Sequence, residues 1–548
     1  MAKLTKISTS RAQEKELLQL SPFELKNTLI GLAQAGTETN ARAMLNAGRG
    51  NPNWIATTPR EAFFTLGLFG LEECKRTDHV PGGLAGIPDK KGIAQRFEKF
   101  LSSNKKAPGI ELLAGLYKYG IRQHGFDADS WVHELAEGII GDQYPVPDRM
   151  LRYPEKIVHD YLVQEMCDGK VPRRPFKLFA VEGGTAAMCY IFDSLMQNYL
   201  VQKMDSIALM VPTFTPYIEI PELERYEFNV VKINASAMTR EGRHTWQYPD
   251  SELDKLKDPA IKVLFAVNPS NPPSRAMHPN SLKRIVQIVK EHNPNLVIVT
   301  DDVYGTFVPG FRSLMSVIPY NTIGVYSFSK YFGATGWRLG VIAINEDNLF
   351  DTFIDNLPWK QKQALRDRYG TITLDPDELL FIDRMVADSR QVALNHTAGL
   401  SLPQQIQMLL FAAFALLDKR NKYKKLTQQL VQKRLSLLWK ELQIPPVSDA
   451  LNAGYYTEID ILVWGRKVYG DEFNEWLKRN FEPVDILFRL AEKSGVVLLN
   501  GGGFEGPEWS VRVSLANLPT EMYKTIGQCI TTVMKEYAAS WKAGEGKQ

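Results

Sequence analysis

The sequence has 548 residues, of which 44% are hydrophobic and 23% are charged, and its formal net charge is only +3. This composition is typical of a soluble protein with more than one domain. The near-neutral charge gives no indication of binding to nucleic acids or other polyanions. The four cysteines form no CxxC pair, so we expect free thiols in a reducing compartment and no metal site.

The N-terminal segment MAKLTKISTSRAQEKELLQL mixes charged and apolar residues, so we expect no signal peptide. The longest uncharged stretch, about residues 397–417, contains Pro403 and three glutamines. This favours a buried helix over a membrane span. We therefore expect a cytoplasmic protein that does not bind a membrane.

In chain order, residues 11–46 have helical periodicity, which NAGRGNPNW (46–54) interrupts. Residues 60–140 mix helical patches with loops. Residues 345–395 are charged and irregular until a helical stretch near 378–394. Long helices follow Pro403, and a mixed α/β tail ends in a helix around 519–542.

The middle of the chain alternates helical patterns with short apolar runs that end in polar or glycine-rich turns. Such runs are typical of strands buried on both faces, so we predict a mostly parallel sheet covered by helices. Ligands of such sheets bind at the carboxyl ends of the strands. The runs are KLFAVEGG (177–184), SIALMVPTF (206–214), KVLFAVNPSNPP (262–273), NLVIVTDDVY (295–304), TIGVYSFSK (322–330) and RLGVIAI (338–344).

The segment SFSKYFGATGWRLG (327–340) places a lysine after one of these runs. Partial desolvation lowers the pKa of a lysine, so Lys330 is a candidate imine-forming nucleophile. Arg338 and Ser327 could hold a phosphate dianion. A surface lysine that merely ends a strand is the alternative on local grounds.

Two further segments offer groups for a flat heteroaromatic ring. In VTDDVY (299–304), Asp301 could pair with a protonated ring nitrogen, and Tyr304 could donate to a ring oxygen. In NPSNPPS (268–274), Asn271 could donate to the same oxygen from a turn fixed by proline. Helix caps and a purely structural turn are the alternatives.

An anion cradle and a stacking group follow two other runs. Gly183, Gly184 and Thr185 lie between a strand and a predicted helix, where exposed amides bind anions. Phe214, in VPTFTPY (211–217), could stack on an aromatic ring. A core phenylalanine is the simpler interpretation of the latter.

Taken in order, these motifs resemble the fold-type-I pyridoxal-phosphate enzymes, and within them the class I/II aminotransferase branch. The resemblance covers residues 140–345 and the C-terminal VRVSLA (511–516). It implies pyridoxal 5′-phosphate on Lys330 and a seven-stranded sheet with a smaller α/β domain built from both termini. It also implies that Arg512 binds the substrate α-carboxylate and that Tyr144, in DQYPVPDRML, reaches the phosphate of a neighbouring subunit.

The chain exceeds ordinary members of that branch, and NAGRGNPNW with SFSKYFGATGWRLG is similar to the aspartate 4-decarboxylase (aspartate β-decarboxylase) family. That resemblance implies conversion of L-aspartate to L-alanine and CO₂ with side transamination, in a homo-oligomer built from dimers. Arg49 is our candidate for the second carboxylate of the substrate, and Arg390 is the alternative. Asn271 is also a candidate substrate ligand.

The resemblance also suggests that the chain is divided into four parts. We predict an N-terminal arm with part of the small domain (1–60), an insertion (61–140), a large cofactor domain (141–395, with an extra segment about 345–395) and a C-terminal small domain (396–548). A plain aspartate or other amino acid aminotransferase is the alternative function. A DNA-binding regulator is disfavoured because no basic helix-turn-helix precedes the cofactor domain.

Overall fold

A computed structural model of the chain describes residues 9–40, 44–77, 81–393, 399–444 and 449–544. The prediction of no signal peptide concerns in part the first eight residues. These lie outside the described residues. The strands are β1 (Leu45–Asn46), β2 (Phe176–Val181), β3 (Ser206–Val211), β4 (Asn229–Asn234), β5 (Ile261–Val267), β6 (Val297–Asp301), β7 (Thr322–Ser327), β8 (Gly340–Asn345), β9 (Tyr456–Asp460), β10 (Val496–Val497), β11 (Leu499–Asn500) and β12 (Ser510–Ser514).

The helices of the described ranges are α1 (Arg11–Leu17), α2 (Pro22–Asn40), α3 (Thr57–Arg76), α4 (Ile93–Ser103), α5 (Ile110–His124), α6 (Ala128–Ile140), α7 (Arg152–Met166), α8 (Gly184–Gln197), α9 (Thr215–Glu219), α10 (Asp250–Leu253), α11 (Pro279–Glu291), α12 (Leu314–Val317), α13 (Leu349–Asp355), α14 (Trp359–Tyr369), α15 (Phe381–Ala393), α16 (Leu402–Leu417), α17 (Lys422–Glu441), α18 (Ile461–Tyr469), α19 (Asp471–Asn480), α20 (Asp485–Ser494) and α21 (Met522–Ala543). None of them combines the length and apolar character that crossing a bilayer requires.

The central sheet has seven strands in the order β2-β8-β7-β6-β5-β3-β4. All pairs from β7 to β4 are parallel, whereas β8 is antiparallel to both β7 and β2. Strands β6, β7 and β8 are buried throughout, as expected where helices cover both faces. The predicted α/β fold with a mostly parallel, seven-stranded sheet is confirmed.

The topology explains why polar groups converge. Because β8 is antiparallel to both of its neighbours, β2 points the same way as β7, β6, β5 and β3. The carboxyl ends of these five strands therefore lie along one edge of the sheet. Val181, Val211, Val267, Asp301 and Ser327 are the last residues of those strands.

The second sheet, β11-β12-β9, lies in a core formed from both ends of the chain. Leu25 and Leu29 of α2 belong to the same hydrophobic cluster as Val511 of β12 and Ile526 of α21. The parallel pair of β1 with β10 joins the two termini again. The domain limits given above stay predictions.

Two local expectations were wrong. The segment before residue 378 was expected to be irregular, but it contains α13 and α14. Leu349, Phe350 and Leu365 on these helices enter the core against the sheet, so tertiary burial outweighs their charged neighbours. The helix predicted for 11–46 is also divided: β1 occupies its last two residues.

Candidate active site

A cavity of about 350 Å³ opens where the strands end. Ten residues that the sequence had singled out line it together: Gly184, Thr185, Phe214, Asn271, Asp301, Tyr304, Ser327, Lys330, Arg338 and Arg512. They come from segments separated by more than three hundred residues of sequence, and the common strand edge brings them into one space.

Lys330 stands in the turn that follows β7, and its side chain is only partly exposed. Its Nζ donates a hydrogen bond of 3.3 Å to the backbone carbonyl of Gly50. A side chain at position 50 would collide with the site, because an ideal Cβ there would lie 3.1 Å from Lys330 Nζ. The N-terminal loop containing Gly50 thus passes directly over the lysine.

Asp301 is a buried carboxylate at the end of β6. It accepts a hydrogen bond of 2.6 Å from the Tyr217 hydroxyl and one of 3.2 Å from the Val303 amide. Burial raises the pKa of Asp301, although both hydrogen bonds oppose that shift. A cationic partner in the cavity would offset the cost of burying this negative charge.

One end of the cavity is built for an anion. Gly183 adopts a φ of +91°, and an ideal Cβ there would lie 2.6 Å from Arg338 Nη2. The guanidinium donates to the carbonyls of Thr335 and Glu182, and among the described residues it forms no ion pair with a carboxylate. Its charge is therefore available to a bound anion beside the start of α8 at Gly184.

Small hydroxyl side chains complete this end. Ser327 Oγ donates to Ser329 Oγ at 2.9 Å, and the Ser329 amide donates back to Ser327 Oγ at 3.3 Å. Thr185, in the first turn of α8, is exposed to the cavity side of that helix start. Hydroxyls, amides and one guanidinium together form a set of donors suited to a phosphate.

The opposite end carries a buried cation. Arg512 is only 1% exposed, and it donates to Asn271 Oδ1 and to the Gly48 carbonyl, both at 3.1 Å. Its Nε has no hydrogen-bond partner among the described residues, which also offer it no ion pair. Burial lowers its pKa. A carboxylate in the cavity would satisfy this guanidinium.

Aromatic side chains form the walls. Phe214 meets Tyr217 edge to face at 5.3 Å and Phe23 at 5.8 Å. The Tyr304 hydroxyl donates to that of Tyr456 at 3.3 Å, and the Arg512 guanidinium lies 4.4 Å from the centre of the Tyr456 ring.

Besides Gly183, which lies next to Arg338 at the anion end, three predicted residues do not line the cavity. Tyr144 is 65% exposed and borders a separate cavity beside α6. Arg49 is exposed, although its neighbours Gly48 and Gly50 both contact the site. Arg390 forms an ion pair with Asp148 at another cavity, so its position gives no support to its role as the alternative carboxylate ligand.

Sequence reasoning missed several residues of the wall, among them Phe23, Gly50, Tyr217 and Tyr456. Tyr217 lies three residues after Phe214, inside a segment already chosen, so its position next to a strand end was a usable signal. Phe23 lies on α2 and Tyr456 on β9 of the second sheet, and no local pattern marks them. Only the tertiary structure brings them to the sheet edge.

A family model for class I and II aminotransferases matches residues 177–529. The chain belongs to the class I and II aminotransferase family. It is 49% identical over 530 residues to a protein named bifunctional aspartate aminotransferase and L-aspartate beta-decarboxylase from Pseudomonas sp., covering 96% of this chain and 98% of that protein. The predicted family is confirmed, and the chain is an enzyme.

Solved structures of other family members have the same fold. An aromatic aminotransferase from Pyrococcus horikoshii OT3 is 18% identical with a TM-score of 0.56, over 90% of this chain and 96% of that chain. An aspartate aminotransferase from Thermus thermophilus, solved with maleate, is 16% identical with a TM-score of 0.53, over 93% and 96% of the two chains.

Pyridoxal phosphate is the cofactor of this family, so the predicted cofactor is confirmed. The cavity fits it. An amine, a buried carboxylate and a cluster of phosphate donors are the three groups that it requires, and at Gly183 the positive φ and the nearby Arg338 guanidinium favour glycine beside the anion site. Lys330, Asp301 and Arg338 would hold its aldehyde, ring nitrogen and phosphate.

Proposed function

We propose that this enzyme converts L-aspartate into L-alanine and CO₂, with transamination of L-aspartate as a side reaction. The observation that carries the proposal is the 49% identity, over nearly the whole of both chains, to the bifunctional Pseudomonas enzyme. The alternative is a plain aspartate or other amino acid aminotransferase, which the same family membership also allows.

The substrate α-carboxylate is assigned to Arg512, because this buried guanidinium has no ion pair among the described residues. Asn271 uses its Oδ1 to accept from Arg512, so its amide NH₂ is the group left to donate to the cofactor ring oxygen or to the substrate. Tyr304 is the second candidate donor to the ring oxygen. The α-carboxylate end of the amino acid is thereby fixed relative to Lys330.

Lys330 is assigned the transfer of the Cα proton. Pyridoxal phosphate, when bound, supplies an electron sink for the negative charge that loss of this proton leaves. Asp301 favours a protonated ring nitrogen, and Tyr217 holds the carboxylate in place by its hydrogen bond. Phe214 covers a face of the cavity and helps to exclude water, which would divert the substrate towards transamination.

The second carboxylate of L-aspartate is assigned to Arg49. This side chain lies in the loop between Gly48 and Gly50, and both glycines contact groups of the site. Burial lowers the pKa of Lys26, and the nearby positive charges of Arg49 and Arg512 lower it further. A cluster of positive charge next to Arg512 supports recognition of a dicarboxylate.

The test supplies L-aspartate to the holoenzyme with no keto acid. Sustained formation of L-alanine with one CO₂ per alanine supports the proposal, because decarboxylation needs no second amino acceptor. Turnover that strictly requires 2-oxoglutarate contradicts it in favour of the plain aminotransferase. Lys330→Ala serves as the control, and it should abolish both reactions together with the absorbance of the covalently bound cofactor.

We also propose a homodimer as the minimal unit, within a larger homo-oligomer, and a cytoplasmic location. The exposed position of Tyr144 supports the first point, since an exposed tyrosine at the edge of one subunit can reach the phosphate site of a partner. The substrate is a small amino acid, and no nucleic acid is proposed as a partner.

A further inference from the structure

Tyr456 lies between Lys330 and Arg512, the two groups that the proposed function places against the substrate. An ideal Cβ on Gly50 would lie 2.7 Å from its hydroxyl and 3.1 Å from Lys330 Nζ, so the two groups border the same small space. On its other side, the ring faces the Arg512 guanidinium at 4.4 Å. An amino acid held by Arg512 and reaching Lys330 therefore passes along Tyr456.

The side chain is rigidly placed. Tyr456 begins β9, pairs in the sheet with Ser514 of β12 and is 2% exposed. Its backbone amide donates to Ser274 Oγ at 2.8 Å, which ties it to the turn that carries Asn271. The hydroxyl is thus fixed by the sheet and by this turn, as a group that must meet a reacting atom should be.

The surroundings of Tyr456 make it the more acidic of the neighbouring phenols. Burial opposes ionisation, but the charges of Lys330 and Arg512 and the hydrogen bond from Tyr304 outweigh it and lower the pKa. Burial and the proximity of Tyr456 raise the pKa of Tyr304 instead. The charged or titratable groups that face Tyr456 are Lys330, Arg512, Tyr304 and Tyr455.

Decarboxylation at Cβ needs one proton transfer that transamination does not. When the bond from Cβ to the carboxylate breaks, CO₂ leaves and the electron pair stays with the substrate. That pair must then take up a proton at Cβ. Lys330 is already occupied with the proton of Cα, and the Tyr217 hydroxyl is bound to Asp301.

We propose that Tyr456 is the acid that delivers a proton to Cβ of L-aspartate after CO₂ leaves, an inference that rests on the proposed function. The O–H bond of the phenol breaks, a C–H bond forms at Cβ, and the tyrosinate regains its proton from water. The net change is aspartate plus one proton to alanine plus CO₂, with no oxidant or reductant. Lys330 and Arg512 stabilise the tyrosinate in the meantime.

The test compares the wild-type holoenzyme with Tyr456→Phe and a control, Tyr226→Phe. The control also removes a buried hydroxyl, which has no hydrogen-bond partner among the described residues and does not line the cavity. Tyr456→Phe should form alanine about 100-fold more slowly, which is the usual contribution of a general acid. Its transamination of L-aspartate with 2-oxoglutarate should stay close to wild type, as should every rate of the control.

A second measurement does not depend on turnover. In a pH titration of tyrosinate absorbance, the wild-type apoprotein, in which Lys330 is a free amine, should contain a phenol that ionises below the usual pKa of about 10, and Tyr456→Phe should lack it. Alanine formation by Tyr456→Phe at the wild-type rate would overturn the inference, as would equal losses of both reactions. A wild-type enzyme that makes no alanine from L-aspartate would instead refute the proposed function.

Discussion

At the scale of single residues, the site holds charges that the folded chain leaves uncompensated. Arg512 is buried with hydrogen bonds to an amide and a carbonyl, and in the described structure no carboxylate pairs with it. A buried unpaired cation lowers the stability of the protein. A substrate carboxylate removes that cost when it binds. Pairing of the buried Arg512 charge therefore contributes to the affinity for an amino acid.

Glu458 is a second buried ionisable group, and its side chain is acidic. It stands opposite Arg512 in the pairing of β9 with β12, and Ser510 Oγ donates to its Oε1 at 2.8 Å. Burial raises the pKa of Glu458 to about 8, and the charge of Arg512 only partly offsets the shift. The carboxyl is therefore neutral in the folded protein at pH values where the unfolded chain has lost that proton.

This shift predicts how stability depends on pH. Between the unfolded pKa of about 4.3 and the folded value of about 8, the folded state binds one proton more than the unfolded chain. The contribution of Glu458 to the free energy of unfolding therefore falls as pH rises. Glu458→Gln cannot ionise and should escape this loss. In urea melts, the stability of Glu458→Gln relative to wild type should increase by roughly 1–4 kcal/mol from pH 5 to pH 8.

The control for this measurement is Glu472→Gln, which changes an exposed glutamate on α19. Its stability relative to wild type should be the same at both pH values. A difference between Glu458→Gln and wild type that did not change with pH would contradict the protonated state of Glu458 in the fold.

At the scale of elements, the anion site depends on how closely β8 approaches the start of α8. An ideal Cβ on Gly340 would lie 2.7 Å from Gly183 Cα and 2.8 Å from its carbonyl carbon. Neither atom belongs to a flexible side chain, so the backbone itself must shift to admit a methyl group. The same backbone carries the phosphate donors at Gly184 and Thr185.

Gly340→Ala should therefore lower the free energy of unfolding by about 1–3 kcal/mol, as overpacking of a close-packed interior does. It should also weaken cofactor binding, measured by titrating the apoprotein with pyridoxal phosphate. Gly336→Ala is the matched control, because an ideal Cβ there meets nothing within 4 Å. Wild-type stability and cofactor affinity in Gly340→Ala would show that the two backbones can separate freely.

The burial of a strand decides whether its sequence pattern allows us to predict it. Strands such as β6 and β7 appear as continuous apolar runs because both faces are covered. β4 lies at the sheet edge and is partly exposed, so its run NVVKIN has no such signal and was not among the predicted strands. The antiparallel direction of β8 was equally hidden, since pairing direction leaves no mark in a short buried run.

Across the molecule, the site combines residues of the two sheets. Gly50 comes from the N-terminal loop, Asp301 and Lys330 from the large sheet, and Tyr456 and Arg512 from the small one. Motifs on the large sheet were predictable because each follows its own strand. Tyr456 was not, because its role depends on which sheet packs over the cavity, and that is decided by contacts between distant segments.

Helix α3 presents an apolar row that the described part of the chain leaves exposed. Phe64, Leu68 and Leu71 of α3 are 66%, 59% and 49% exposed, and their spacing places them along one side of the helix. Exposed apolar rows of this kind mark interaction surfaces. The proposed homo-oligomer offers an occupant, since a second copy would bring an equivalent row to the same surface.

Leu68→Glu tests whether α3 lies between subunits. A charge in an apolar interface loses its hydration, and burying a leucine contributes roughly 1.5–3 kcal/mol, so the dissociation constant should rise at least about tenfold. Sedimentation velocity over a range of concentrations measures this. Leu426→Glu on α17 is the control, because that leucine is similarly exposed (55%) but lies outside the α3 row, so the assembly should stay unchanged. Sedimentation of Leu68→Glu identical to wild type would place the subunit interface elsewhere, because an exposed α3 face would tolerate the charge in water at no cost.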